Sequence, residues 1–353
     1  MAEPHIRVED LAKTYRVPEG AAGLLGSLRS LARRTYRDVA AVRGVCFQVR
    51  AGEMVGLLGP NGAGKTTTLK MLSGLLHPSG GRASVLGFVP WERRPAYLQR
   101  ISMVMGNRSQ MLWDIPPLET FSVLAQIYRL DAAAYRQTLD ELVALLDMED
   151  LLARPVRNLS LGERMKCELV AGLLHRPEVL FLDEPTLGLD VSMQGRLRRF
   201  LAEHNRRSGV TVILTSHYMA DVVALCPRVI LIHEGQLLYD GELKALAHKL
   251  APFKLLRLAL RNGGGEVALP PGVDVVEREN GRLTLRVPGD QAPALTARLL
   301  ETLPVVDLAV EDPPIEAVID QVYQGSPLDP EAQGSLAPAA AGGARTESVG
   351  GAA

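Results

Sequence analysis

Short, unbroken apolar runs alternate with longer segments of helical spacing through the first two-thirds of the chain. The run "EMVGLLG" ends in a glycine-rich turn, and "EVLFLDEP" and "GVTVILTSH" repeat its texture. Runs this short, without polar alternation, predict strands of a parallel sheet covered on both faces. "GAGKTTTLKMLSGLL" and "VSMQGRLRRFLAEHNRRSG" predict the helices that pack on it. The order strand, helix, strand is α/β alternation. Upstream, "HIRVEDLAKTYRV" predicts an edge strand and turn, and "AVRGVCFQVRAGEMVGLLG" predicts two strands joined at Ala51-Gly52. Between them, Leu24, Leu25, Leu28 and Leu31 recur at helical spacing among Arg29, Arg33, Arg34 and Arg37. That pattern predicts a basic amphipathic helix at about residues 20–38.

From about Leu118 to Leu174 the spacing is mostly helical, with a turn at "ARPVRN", and "RVILIHEGQLLYDG" predicts a hairpin. Past residue 250 the texture changes. "FKLLRLAL", "VDVVERENGRLTLRVPG", "APALTARLLETL", "VVDLAVEDPP" and "IEAVIDQVY" predict a small α/β appendage with two helices over 250–324. The stretch 325–353 is rich in Ala, Gly, Pro and Ser, which predicts disorder.

With 353 residues the chain is long enough for two or three domains. A net charge of -1 gives no reason to expect nucleic acid as a partner. Cys46, Cys167 and Cys226 form no C-x-x-C pair, which fits a reducing compartment. "MAEPHIRVED" lacks the apolar core of a signal peptide. No run approaches the roughly 18 apolar residues of a spanning helix. Any role at a membrane is therefore expected to be peripheral.

The chemistry concentrates in a few motifs. "GPNGAGKT", Gly59 to Thr66, matches the phosphate-binding pattern G-x-x-x-x-G-K-[ST] with a strand before it and a helix after it. Its backbone N–H groups and the following helix N-terminus suit phosphate. Lys65 supplies a mobile charge, and the Thr66 hydroxyl is a Mg²⁺ ligand in such loops. "FLDEP" puts Asp183 at a strand end, where a carboxylate serves Mg²⁺, and Glu184 at the tip, where it can polarise a water. "LSLGE", Leu159 to Glu163, has the spacing of a capping box.

Phosphate loop, "LSLGE", "FLDEP", "GLD" and "TSH" follow one another in the order and approximate spacing of ATP-binding cassette (ABC) ATPases. The chain resembles that family over about residues 5–240. The resemblance implies a P-loop NTPase fold for residues 1–245: a RecA-like core, an antiparallel β subdomain, and a helical subdomain at about 107–174. The small α/β domain would follow. In this family two subunits sandwich two ATP molecules, each between one phosphate loop and the partner's "LSGGQ" helix.

Position by position, the resemblance implies that Tyr15 stacks on adenine. Gly59, Pro60, Asn61, Gly62, Ala63, Gly64, Lys65, Thr66 and Thr67 hold the phosphates. Thr66 and Asp183 serve Mg²⁺. Glu184 is the catalytic base, Asp190 helps the subunits sense each other, and His217 contacts the γ-phosphate. Two departures matter. The family's glutamine before "PPLET" falls near Asn107, with Gln110 the other candidate, both potential Mg²⁺ or water contacts. The nearby Met111, Leu112 and Trp113 suit either a membrane partner or the local core. "LSGGQ" becomes "LSLGE": Ser160 and Gly162 remain, while Glu163 would repel a triphosphate unless it folds back onto the Ser160 N–H. Glu163 is then structural, or it touches ribose.

"LSLGERMK", "NRSQMLWD" and the basic N-terminal helix resemble the ABC-2-type branch of sodium and drug exporters. That implies a homodimeric ATPase using ATP and Mg²⁺ on the cytoplasmic face of the plasma membrane. It would associate peripherally through a separately encoded permease. The alternative is a soluble ABC ATPase acting on nucleic acid or ribosomes.

Overall fold

The computed structural model describes residues 3–18, 36–261, 269–279 and 281–323. Its strands are β1 (Ile6–Pro18), β2 (Tyr36–Val49), β3 (Met54–Leu58), β4 (Gly80–Val85), β5 (Ile101–Met105), β6 (Val179–Asp183), β7 (Thr211–Thr215), β8 (Arg228–His233), β9 (Gln236–Glu242), β10 (Phe253–Leu260), β11 (Asp274–Glu279), β12 (Arg282–Pro288) and β13 (Val305–Glu311). Its helices are α1 (Lys65–Leu72), α2 (Pro95–Leu98), α3 (Pro117–Ile127), α4 (Ala132–Leu146), α5 (Leu161–Leu173), α6 (Val191–Ser208), α7 (Met219–Leu225), α8 (Leu243–Leu250), α9 (Ala292–Thr302) and α10 (Ile315–Tyr323).

The central sheet has the order β5-β6-β7-β3-β8-β9, parallel except for β9. Every residue of β3, β6 and β7 is buried, as unbroken apolar runs require of strands covered on both faces. Helices α3, α4 and α5 form the helical layer, packed through Phe121, Leu142, Leu146, Val156 and Leu169. Asp131 caps α4 by accepting from the amides of Ala133 and Ala134.

A second, antiparallel sheet has the order β2-β1-β4. Here β1 is the central strand and not the expected edge. It pairs with β4 over Ile6–Ala12 and with β2 along its whole length, to Pro18 opposite Tyr36. Its Ile6, Val8 and Leu11 are buried. The strand β2 also overturns the end of the expected basic helix. Tyr36, Arg37 and Asp38 are strand residues facing Pro18, Val17 and Arg16. The cross-strand pairs Tyr15–Val39 and Arg16–Asp38 outweigh the helical spacing at this end. Residues 20–35 of that helix, and the tail 325–353, lie outside the described residues.

The third sheet, β11-β12-β10-β13, is antiparallel and carries α9 on one face through Leu295 and Leu299. The appendage differs from the expectation in one respect. Its second helix, α10, is not part of that small core. Ile319 and Val322 pack into the main core with Leu243 and Leu246 of α8, and the Tyr323 ring stacks on His233 at 5.5 Å. The sheet with α9 is thus inserted between two helices of the main body. The expected boundary at 245 falls inside α8.

Candidate functional site

The site is built where β3, β6 and β7 end side by side. Leaving β3, the chain turns through Gly59–Gly64 and enters α1 at Lys65. Gly62 and Gly64 take left-handed φ values of 81° and 106°. A Cβ on Gly64 would sit 2.5 Å from the Ala41 carbonyl oxygen, so the turn needs glycine there for space as well as for φ. Pro60, Asn61, Ala63 and Thr67 complete the loop and first turn, whose leading N–H groups have no partner within the helix. Lys65 Nζ donates to the carbonyls of Gly59 (2.6 Å) and Pro60 (3.1 Å). Its burial lowers the ammonium pKa, opposed by the charges of Glu184 and Asp183.

Thr66 joins the loop to β6. Its hydroxyl donates to Asp183 Oδ1 at 2.9 Å, and the Thr215 hydroxyl at the end of β7 donates to the same oxygen at 2.8 Å. The buried carboxylate is thereby fixed next to the loop. Glu184 follows with φ 54°, unusual for a residue with a side chain. Its amide donates to the Thr215 carbonyl and hydroxyl, each at 3.0 Å. Its Oε1 lies 2.8 Å from His217 Nε2. A strained backbone held from both sides is characteristic of functional positions. One cluster thus gathers Lys65, Thr66, Asp183, Glu184 and His217.

The other expected residues lie apart from it. Tyr15 is on the outer part of β1, opposite Val39, with Lys13 Nζ 5.5 Å from its ring centre. Ser160 caps α5, and the capping box is complete: the Ser160 amide donates to Glu163 Oε2 (2.7 Å) and the Glu163 amide to Ser160 Oγ (3.3 Å). The Ser160 amide bond, with Arg154 nearby, holds the Glu163 carboxyl below the usual carboxylate range. Gly162 faces Met193, whose Cγ would lie 3.1 Å from an added Cβ. Asp190 caps α6 by accepting from the Met193 amide at 3.0 Å.

A family model for the ABC transporter matches residues 42–187. The ABC transporter ATP-binding protein NatA of Bacillus subtilis (strain 168) is 36% identical over 217 residues, covering 60% of this chain and 88% of that protein. The chain belongs to the ABC transporter ATP-binding family. Nod factor export ATP-binding protein I of Burkholderia orbicola (strain AU 1054) is 39% identical over 218 residues, 60% of this chain and 69% of that protein. Among solved structures, an ATP-binding subunit of an ABC transporter matches with a TM-score of 0.57 at 25% identity, over 69% of this chain and 92% of that one. A second family model, the C-terminal domain of EvrA-like ABC transporters, matches residues 252–311. It coincides with the inserted sheet and α9 and leaves out α10.

This ABC ATPase also contains residues that the motifs did not single out. Gly106 closes β5 against the Asp183-Glu184 turn: its amide donates to the Asp183 carbonyl at 2.8 Å. A Cβ there would sit 2.1 Å from the Glu184 carbonyl oxygen. Asn107 follows it directly, whereas the Gln110 amide is bonded to Glu168 on α5. Of the adjoining apolar trio, Met111 is in the core, while Leu112 and Trp113 are each half exposed. Asp221 on α7 is fully buried and accepts from Thr186, Ser216 and Arg198. It ties the segment after Glu184 to the one before His217. Its only trace in sequence is a lone Asp in the apolar stretch "HYMADVVAL".

Proposed function

We propose that the chain is the ATP-hydrolysing subunit of an exporter and drives a separately encoded membrane permease by ATP-dependent dimerisation. The observation that carries this reading is the Thr66–Asp183–Thr215 cluster beside the 2.8 Å Glu184–His217 pair. The phosphate loop binds the triphosphate through its N–H groups and Lys65. Tyr15 stacks on adenine. Thr66 and Asp183 offer hard oxygen donors of the kind Mg²⁺ takes, with substrate phosphates completing its shell. A Mg²⁺ ion held by Thr66 and Asp183 would supply charge neutralisation for the triphosphate. Glu184 accepts a proton from the attacking water, and His217 orients that carboxylate and faces the γ-phosphate.

The Ser160–Gly162 helix start, its Glu163 turned back into the capping box, completes the partner subunit's site, with Asp190 at the interface. Asn107 is the better candidate for the role of the family's glutamine, because it directly follows Gly106, which packs against the Glu184 carbonyl, while Gln110 lies three residues on with its backbone amide bonded to Glu168 on α5. Export is supported by the name of the Nod factor export relative. No described helix is long and apolar enough to cross a membrane, in keeping with peripheral attachment through a permease at the cytoplasmic face. The half-exposed Leu112 and Trp113 suit that contact.

Phosphate release by the purified full-length chain tests the assignment. Glu184→Gln should lower turnover about 100-fold or more, the range for loss of a general base, and chelating Mg²⁺ should abolish it. A Glu184→Gln variant that turns over like the parent rejects the assigned base.

A further inference from the structure

Glu168 lies on α5, past the Ser160 cap, and is 4% exposed. Among the described residues no lysine, arginine or histidine forms a salt bridge with it. Its donors come from one turn of another segment. Oε1 accepts from the Ser109 hydroxyl, the Gln110 amide (3.1 Å) and the Met111 amide (3.4 Å), and Oε2 accepts from the Gln110 amide (3.2 Å). Burial pushes the carboxyl up in pKa, and these hydrogen bonds pull it back. A carboxylate is buried at a cost unless donors converge on it, so this arrangement is specific.

The same segment is fixed at its other end. Gly106 bonds to the Asp183 carbonyl and packs against the Glu184 carbonyl. Residues 106–111 therefore run from the hydrolytic end of β6 to α5, the helix that begins at Ser160. We propose that Glu168 is a positioning residue that fastens the 106–111 segment to α5, so that Glu184 and the Ser160–Gly162 helix start move as one body when the two-subunit ATP site closes. The inference rests on the ATPase reading above and deepens it. No motif of the sequence marks Glu168, and it touches no substrate.

The test compares the full-length parent with Glu168→Met and Glu168→Gln. Glu168→Met leaves the Gln110 and Met111 amides without their acceptor, whereas Glu168→Gln keeps one acceptor oxygen, so the two variants together separate loss of the fastening from loss of the fold. Three quantities are read: steady-state turnover, affinity for a fluorescent ATP analogue, and ATP-induced protection of amides 160–163 in hydrogen exchange. For Glu168→Met, turnover should fall at least tenfold, analogue affinity should stay within twofold, and the ATP-induced protection should disappear. Glu168→Gln, which keeps one acceptor oxygen, should fall between Met and parent. Turnover within twofold of the parent overturns the proposal, and so does a parallel loss of affinity and turnover. If the parent itself hydrolyses no ATP, the ATPase reading fails, and the exchange result alone decides this one: retained protection in Glu168→Met overturns it, and lost protection supports it.

Discussion

At the scale of single residues, the site depends on contacts within a few ångströms of Glu184. Its left-handed backbone is held by Thr215 on one side and crowded by Gly106 on the other. A methyl group at residue 106 would overlap the Glu184 carbonyl oxygen, so one of the two segments must shift. Gly106→Ala is predicted to cut ATP turnover at least tenfold, because a misplacement of about 1 Å can cost on the order of 100-fold. A steady-state assay at saturating ATP checks it, and unchanged turnover would show that the close approach is unimportant. Lys65, Thr66, Asp183, Glu184 and His217 were legible in the sequence because each sits in a motif with fixed spacing. Gly106, Asp221 and Glu168 were not, and Thr215, although it stands in "TSH", had no role assigned to its hydroxyl. A lone Gly, Asp or Glu acquires its role only when distant elements are brought side by side, and no local spacing encodes that.

At the scale of elements, the start of α5 is set by local chemistry. The capping box predicted from "LSLGE" is formed, which turns the Glu163 carboxylate onto the Ser160 amide. Ser160→Ala should cost about 1 kcal/mol of stability, as N-cap losses typically do. Glu163 adds a pH dependence of known sign. Its folded-state pKa is lowered from the ordinary 4.5, so its stabilisation is present above that pH and is lost as the pH falls below it. Glu163→Gln should flatten this part of the acid limb in denaturant titrations between pH 3 and 7 (~1-unit steps resolve it). Elements were read less well where two patterns compete. The apolar helical spacing ends at Leu31, and only the register with Pro18, Val17 and Arg16 puts Tyr36, Arg37 and Asp38 in a strand. The central position of β1 was likewise invisible, since its second partner, β4, arrives more than sixty residues later.

At the scale of the whole molecule, the inserted domain changes what a truncation does. The segments entering and leaving it are close: Ala251, Asp312 and Pro313 line one groove, and Lys254 pairs with Asp312. Replacing residues 253–311 by a short linker should leave the main body folded. Ending the chain at residue 251 should destabilise it by roughly 3–6 kcal/mol, the burial value of Ile319 and Val322 lost with α10. Thermal unfolding of the two variants distinguishes them, and equal losses would contradict the insertion. A change of texture at residue 250 was legible, but the return of α10 to the main core was not, because "IEAVIDQVY" is amphipathic whichever core it joins. If two subunits complete each other's ATP sites as proposed, ATP must bring them together. The most direct measurement is the molar mass of full-length Glu184→Gln in solution, by light scattering, with Mg²⁺ and saturating ATP or ADP. Twice the chain mass is expected with ATP and the single-chain mass with ADP; a monomer under both conditions rules out a shared ATP site.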